Sequence, residues 1–101
     1  MHDEPLSGAG AKAKLIWCLE AGAVIYSRHF RDELQSDNLT MEDVIRVCKS
    51  GMISMAPEQD IRTGQWKYRI EGFTAELSGI AVVFTLRTEL AVYITVFKRA
   101  T

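Results

Sequence analysis

The stretch Trp66-Lys67-Tyr68-Arg69-Ile70-Glu71 alternates apolar and charged residues with a period of two, the spacing of a strand that buries one face and wets the other. Two further runs follow it, Ile80-Ala81-Val82-Val83-Phe84-Thr85-Leu86 and Ala91-Val92-Tyr93-Ile94-Thr95-Val96-Phe97. These are apolar on both faces, which predicts strands interior to a sheet or covered on two sides. Trp66 to Arg99 therefore reads as an antiparallel meander, with connections at Glu71 to Gly79 and Arg87 to Leu90 and its centre in the two apolar runs.

Upstream of this meander the pattern is helical. Thr40-Met41-Glu42-Asp43 is an acidic capping box, and Leu39 with Val44 forms a hydrophobic staple around it. The helix that starts there spans 41–50 through Met41, Val44, Ile45, Val47 and Cys48, and Gly51 is placed to end it in the left-handed conformation. Leu15, Cys18, Leu19 and Gly22 recur at helical spacing and predict a helix over 11–21, with Ser7 as an early cap and Gly8 and Gly10 weakening its first turn. Ile16 and Trp17 widen its apolar stripe, so the helix is expected to be deeply buried. Ala23 to Tyr26 is a short extended run, and Ser27 caps a helix over 28–35 that Ser36-Asp37-Asn38 breaks. Met52 to Met55 reads as a first strand ended by Pro57, with Glu58 to Gln65 a polar loop.

The fold class that follows is α+β, with two to three N-terminal helices packed on a C-terminal antiparallel β-sheet. Residues 1–8 are expected to be a flexible N-terminus and residues 9–101 a single α+β domain. The expected core joins Trp17, Leu19, Val44 and Val47 of the helices to Tyr68, Ile70, Val82, Phe84, Ile94 and Val96 of the strands.

The chain has 101 residues and a formal net charge of −1, unevenly spread. Residues 1–60 carry 6 Lys/Arg against 10 Asp/Glu, and residues 61–101 carry 6 against 3, so the sheet is the basic end. That surplus is far below the footprint of a dedicated nucleic-acid binder, and it permits RNA binding without arguing for it. No segment approaches the roughly 20 consecutive apolar residues of a membrane span, and the acidic start is unlike a signal peptide; no membrane association is expected, and the localisation is expected to be cytoplasmic. Cys18 and Cys48 form no close-spaced pair, and with His2 and His29 they lack the spacings of a metal site. No metal and no cofactor is expected, and no phosphate-cradling glycine loop or nucleophile elbow is present.

Tyr26-Ser27-Arg28-His29-Phe30, Leu39-Thr40-Met41-Glu42-Asp43-Val44, Lys49-Ser50-Gly51-Met52-Ile53, Trp66 to Gly72 and Tyr93-Ile94-Thr95-Val96-Phe97 follow one another in an order that resembles the bacterial domain of unknown function 4258, over residues 25–98. Such domains are similar in layout to the RelE, HigB, BrnT and MqsR toxins, which place helices before a curved antiparallel sheet and cleave messenger RNA. The resemblance implies a RelE-like layout, an RNA partner, an antitoxin-like protein partner and, if active, a metal-independent endoribonuclease.

Cleaving RNA through its own 2′-hydroxyl needs a base for that proton, an acid for the leaving oxygen and cations where charge grows on the phosphate. His29, in the first turn of its helix, is the candidate base, because the positive end of the helix favours the neutral ring. Lys67, Arg69 and Glu71 share one wet strand face and complete the candidate catalytic set, with Arg28, Lys98 and Arg99 as candidate substrate-binding cations. The same residues are also what a solvated strand face and a helix start ordinarily carry. Two functions follow: a toxin-like RNA-cleaving or RNA-binding domain or its inactive descendant, or a non-catalytic module that holds a protein partner on the sheet face or edge.

Overall fold

A computed structural model of the protein describes residues 4–99, so Met1 to Asp3 of the expected flexible N-terminus lie outside the described residues. In chain order the elements are α1 (Gly8–Ala21), β1 (Val24–Tyr26), α2 (Arg28–Ser36), α3 (Met41–Ser50), β2 (Glu58–Gln59), β3 (Trp66–Phe73), β4 (Gly79–Arg87) and β5 (Leu90–Lys98). The fold is α+β, helices first and the main strands last, as the change of period predicts.

Each helix begins where a side chain satisfies its free amides. Ser7 accepts from the Gly10 amide, Ser27 from the Phe30 amide and Thr40 from the Asp43 amide, while Asp43 returns the bond to the Thr40 amide. The Ser7 cap starts α1 at Gly8 rather than Ala11, and Leu6 ahead of it donates its amide to the Tyr68 hydroxyl oxygen at 2.9 Å. At the far end of α1, Gly22 takes the left-handed conformation with φ 72°. Gly51, expected to do the same for α3, is instead extended, with φ −80° and ψ −178°. A Cβ there would meet the carbonyl oxygens of Val47 and Glu71, so crowding between α3 and β3 rather than backbone handedness selects glycine.

The sheet has five strands in the order β1-β5-β4-β3-β2 and is mixed, which corrects the expectation of a purely antiparallel sheet. β3, β4 and β5 form the predicted antiparallel meander, but β1 pairs parallel to β5, Val24 opposite Ala91 and Tyr26 opposite Tyr93. A hairpin pattern predicts only neighbours in sequence, and a parallel partner needs a long crossover that leaves no local trace. The expected strand at Met52 to Met55 reduces to one bridge between Met52 and Glu71, and the outer strand is Glu58–Gln59, within the expected loop. Asp60 organises the turn that follows: its side chain accepts from the Arg62 and Thr63 amides, and these bonds hold its carboxyl below the usual range.

The core lies between the three helices and one sheet face. Leu15 and Cys18 of α1, Phe30 of α2 and Val44, Val47 and Cys48 of α3 meet Tyr68, Ile70, Val82, Phe84, Tyr93 and Val96 of the strands. Tyr93 stacks on Phe30 at 5.1 Å, and Tyr68 on Phe84 at 5.7 Å. Three expected core members depart from this set, of which Leu19 is only partly buried and packs against it. Trp17 is 51% exposed, because α1 buries only the stripe through Ala11, Leu15 and Cys18. Ile94 is half-buried, because β5 carries one extra residue there: Val83 faces Thr95 but Phe84 faces Tyr93, so the inward set switches to Tyr93 and Ala91.

Candidate functional site

The alternation of β3 turns Tyr68, Ile70 and Gly72 toward the helices and leaves Lys67, Arg69, Glu71 and Phe73 on the opposite, outer face. Across the strands, Arg69 stands opposite Val83, and Glu71 opposite Ala81, which in turn faces Phe97. Ala81 is small and fully buried, although it takes no part in the helix-side core.

Glu71 is the hub of this face. Its carboxylate lies 2.6 Å from Arg69 Nε and accepts from Arg99 Nη1 at 2.9 Å. The Arg69 guanidinium lies 5.0 Å from the Phe97 ring centroid, and that of Arg99 5.5 Å from the centroid of Phe73. Arg99 is carried there by the continuation of β5, where its amide donates to Gly79 O at 2.9 Å. The Arg69 Nε contact is close enough for an ion pair but off-line for its hydrogen, so both Arg69 Nε and Arg99 Nε are buried donors without an acceptor among the described residues. Beside this network a shallow pocket of about 480 Å³ is lined by Met52, Glu71, Phe73 and Arg99. Lys67, opposite Thr85 and Glu58, makes no ion pair among the described residues.

His29 stands apart. It is 69% exposed on α2, with Nε2 3.4 Å from Glu33 of the next turn. Glu33 in turn accepts from the Thr95 hydroxyl and from the Val96 amide at 3.0 Å, and Asp37 accepts from the Lys98 amide at 3.3 Å. Two carboxylates four residues apart on a helix are about 6 Å apart, and alternate amides on a strand about 7 Å, so α2 caps the β5 edge that the short β1 leaves open. Thr95 faces Val83, and Val83 faces Arg69, so two strand spacings, about 10 Å, separate Arg69 from Thr95, with Glu33 and His29 beyond.

The structure thus brings Lys67, Arg69, Glu71 and Arg99 onto one face and leaves His29, Arg28 and Lys98 on or beside α2. Arg28 and Lys98 are exposed. Sequence reasoning missed Phe73 and Phe97, which the period-two count from Lys67 reaches in the first case and the closing aromatic of β5 marks in the second. It also missed Glu33, whose place four residues after His29 was the available signal. Among the described residues no three His, Cys, Asp or Glu side chains group as a metal site would require, and no helix is long and apolar enough to cross a membrane.

One protein family matches this chain, over residues 26–98, and is described as a domain of unknown function (DUF4258). No curated protein and no solved structure matches it.

Proposed function

The chain belongs to the DUF4258 family, and from that membership and its outer sheet face we propose that the domain binds single-stranded RNA through Lys67, Arg69 and Arg99. The observation that carries this reading is the shared placement of these three cations with Phe73 and Phe97 on a face that the helices leave open. Cations along a groove neutralise the backbone, and aromatic rings stack on bases of any sequence. An anion laid over Arg69 and Arg99 would add to the single carboxylate that the two guanidiniums share. The sequence resemblance in layout to the RelE, HigB, BrnT and MqsR toxins, with helices before the strand meander, is the reason for choosing RNA as the ligand class. An antitoxin-like partner would silence this binding by covering the same face.

Binding without cleavage is the form of this reading that the geometry favours. Glu71 is already paired with two arginines, while His29 is engaged by Glu33 beyond the β5 edge. The domain is then an RNA-binding, catalytically inactive descendant acting in the cytoplasm. Partner capture by strand addition is disfavoured, since α2 caps one edge of the sheet and the Met52 bridge and β2 staple the other.

Fluorescence anisotropy with a short labelled single-stranded RNA tests this. Binding at low salt should weaken as salt rises, with a slope of about 0.7 per phosphate contacted. Lys67→Ala and Arg99→Ala should weaken it, and His29→Ala should not. Absence of binding at low salt would remove the RNA reading and leave the outer face to a protein partner.

A further inference from the structure

A second cleft, of about 630 Å³, opens at the end of the sheet between α1 and the turn leading into β3. We propose that it binds a nucleoside monophosphate, either free or as the 5′-phosphorylated end of an RNA chain. This does not rest on the reading of the outer face.

The cleft is lined by Lys14 of α1, Gln65 and Trp66 at the start of β3, Tyr68, Arg87 at the end of β4, and Glu4. Lys14 and Arg87 come from segments far apart in sequence, and neither makes an ion pair or side-chain hydrogen bond among the described residues. Among the described residues that line it, Lys14 and Arg87 are two cations against the single carboxylate of Glu4. A phosphomonoester, carrying between one and two negative charges near neutral pH, is the small group that satisfies both. Trp66 is half-buried against the core and lines the cleft, where a planar base would lie beside its indole. The Tyr68 hydroxyl oxygen already accepts from Leu6, so its proton is left to donate, and the Gln65 amide can both donate and accept at a base edge. The volume falls in the range of small-molecule sites, about 300–1,000 Å³. Lys14 lies outside the residues matched by the family, so the cleft exists only because α1 packs beside that domain.

Trp17 and Trp66 are the two tryptophans of the chain, and Trp17 is exposed, so a Trp17→Phe protein reports on Trp66 alone. Adding AMP should quench this fluorescence saturably, with adenosine and inorganic phosphate each binding at least about tenfold more weakly. Lys14→Ala and Arg87→Ala should each weaken AMP at least about tenfold, while Arg46→Ala on α3 should not change it. Competition by a 5′-phosphorylated trinucleotide but not its 5′-hydroxyl counterpart assigns the RNA end as the source, and failure of both to compete assigns the free nucleotide. No saturable change with AMP, equal binding of adenosine, or unchanged binding in both Lys14→Ala and Arg87→Ala would overturn the proposal. So would loss of AMP binding in Lys67→Ala with retention in Lys14→Ala, which would move the ligand to the outer face.

Discussion

Gly51→Ala should destabilise the domain by about 2 kcal/mol, through space rather than backbone strain. A Cβ at this position would stand 2.5 Å from Val47 O and 2.5 Å from Glu71 O, whereas a relaxed carbon–oxygen contact is about 3.3 Å or more. Both oxygens belong to backbone, so neither can swing aside, and relief requires the chain at Gly51 to move off the last turn of α3 and away from β3 together. Overpacking of this kind costs about 1–3 kcal/mol. The separation would also strain the paired bonds beside it, Met52 N–H to Glu71 O at 2.9 Å and Glu71 N–H to Met52 O at 3.0 Å, each contributing about 0.5–1.5 kcal/mol. Against this, alanine restricts the unfolded chain and returns about 0.4–1 kcal/mol. For a domain of this size a loss of 2 kcal/mol lowers the melting temperature by about 8–16 °C. Circular dichroism melts would read the shift, and hydrogen exchange should quicken at the Met52 and Glu71 amides. A variant melting within about 2 °C of the parent, with both amides still protected, would refute the crowding. Gly22→Ala is the contrast: nothing lies within 4 Å of its Cβ position, and its φ of 72° alone should cost about 1–2 kcal/mol.

Phe84→Ala removes a fully buried ring and should cost about 3–5 kcal/mol, whereas Trp17→Ala, at a half-exposed position, should cost far less; equal losses in urea melts would contradict the placement of Trp17. Glu33→Ala removes the acceptor of the Val96 amide and the Thr95 hydroxyl and should cost about 1–3 kcal/mol; unchanged exchange at Val96 would show that the edge is capped otherwise. Burial pushes the Cys48 thiol from 9.0 up to about 11, and the Tyr93 hydroxyl up as well. The folded state holds the thiol proton more tightly than the unfolded chain, so the Cys48 contribution is intact below pH 9 and is lost as pH rises through about 11. Urea midpoints should fall across that window and fall less in Cys48→Ala, and a flat profile would count against the buried thiol.

What the sequence determined by itself is local. The Thr40 capping box and the Ser27 cap place α3 and α2 within a residue of where they lie, and the period-two run starts β3 at Trp66 and falls two residues short of its end, because each signal is written within a few residues. The same alternation put Lys67, Arg69 and Glu71 on one face. The tertiary structure decided what depends on residues distant in the chain. β1 finds β5 across more than sixty residues, the extra residue at Ile94 exchanges the inward side of that strand, and α1 is covered on one stripe only, which exposes Trp17. Arg99 reaches Glu71 only after the meander has folded, and Glu33 meets Thr95 only once α2 lies along the β5 edge, which draws His29 away from the cations. Period and caps record the backbone's local preferences, whereas pairing partners and register are set by which faces and edges remain uncovered when the whole chain packs.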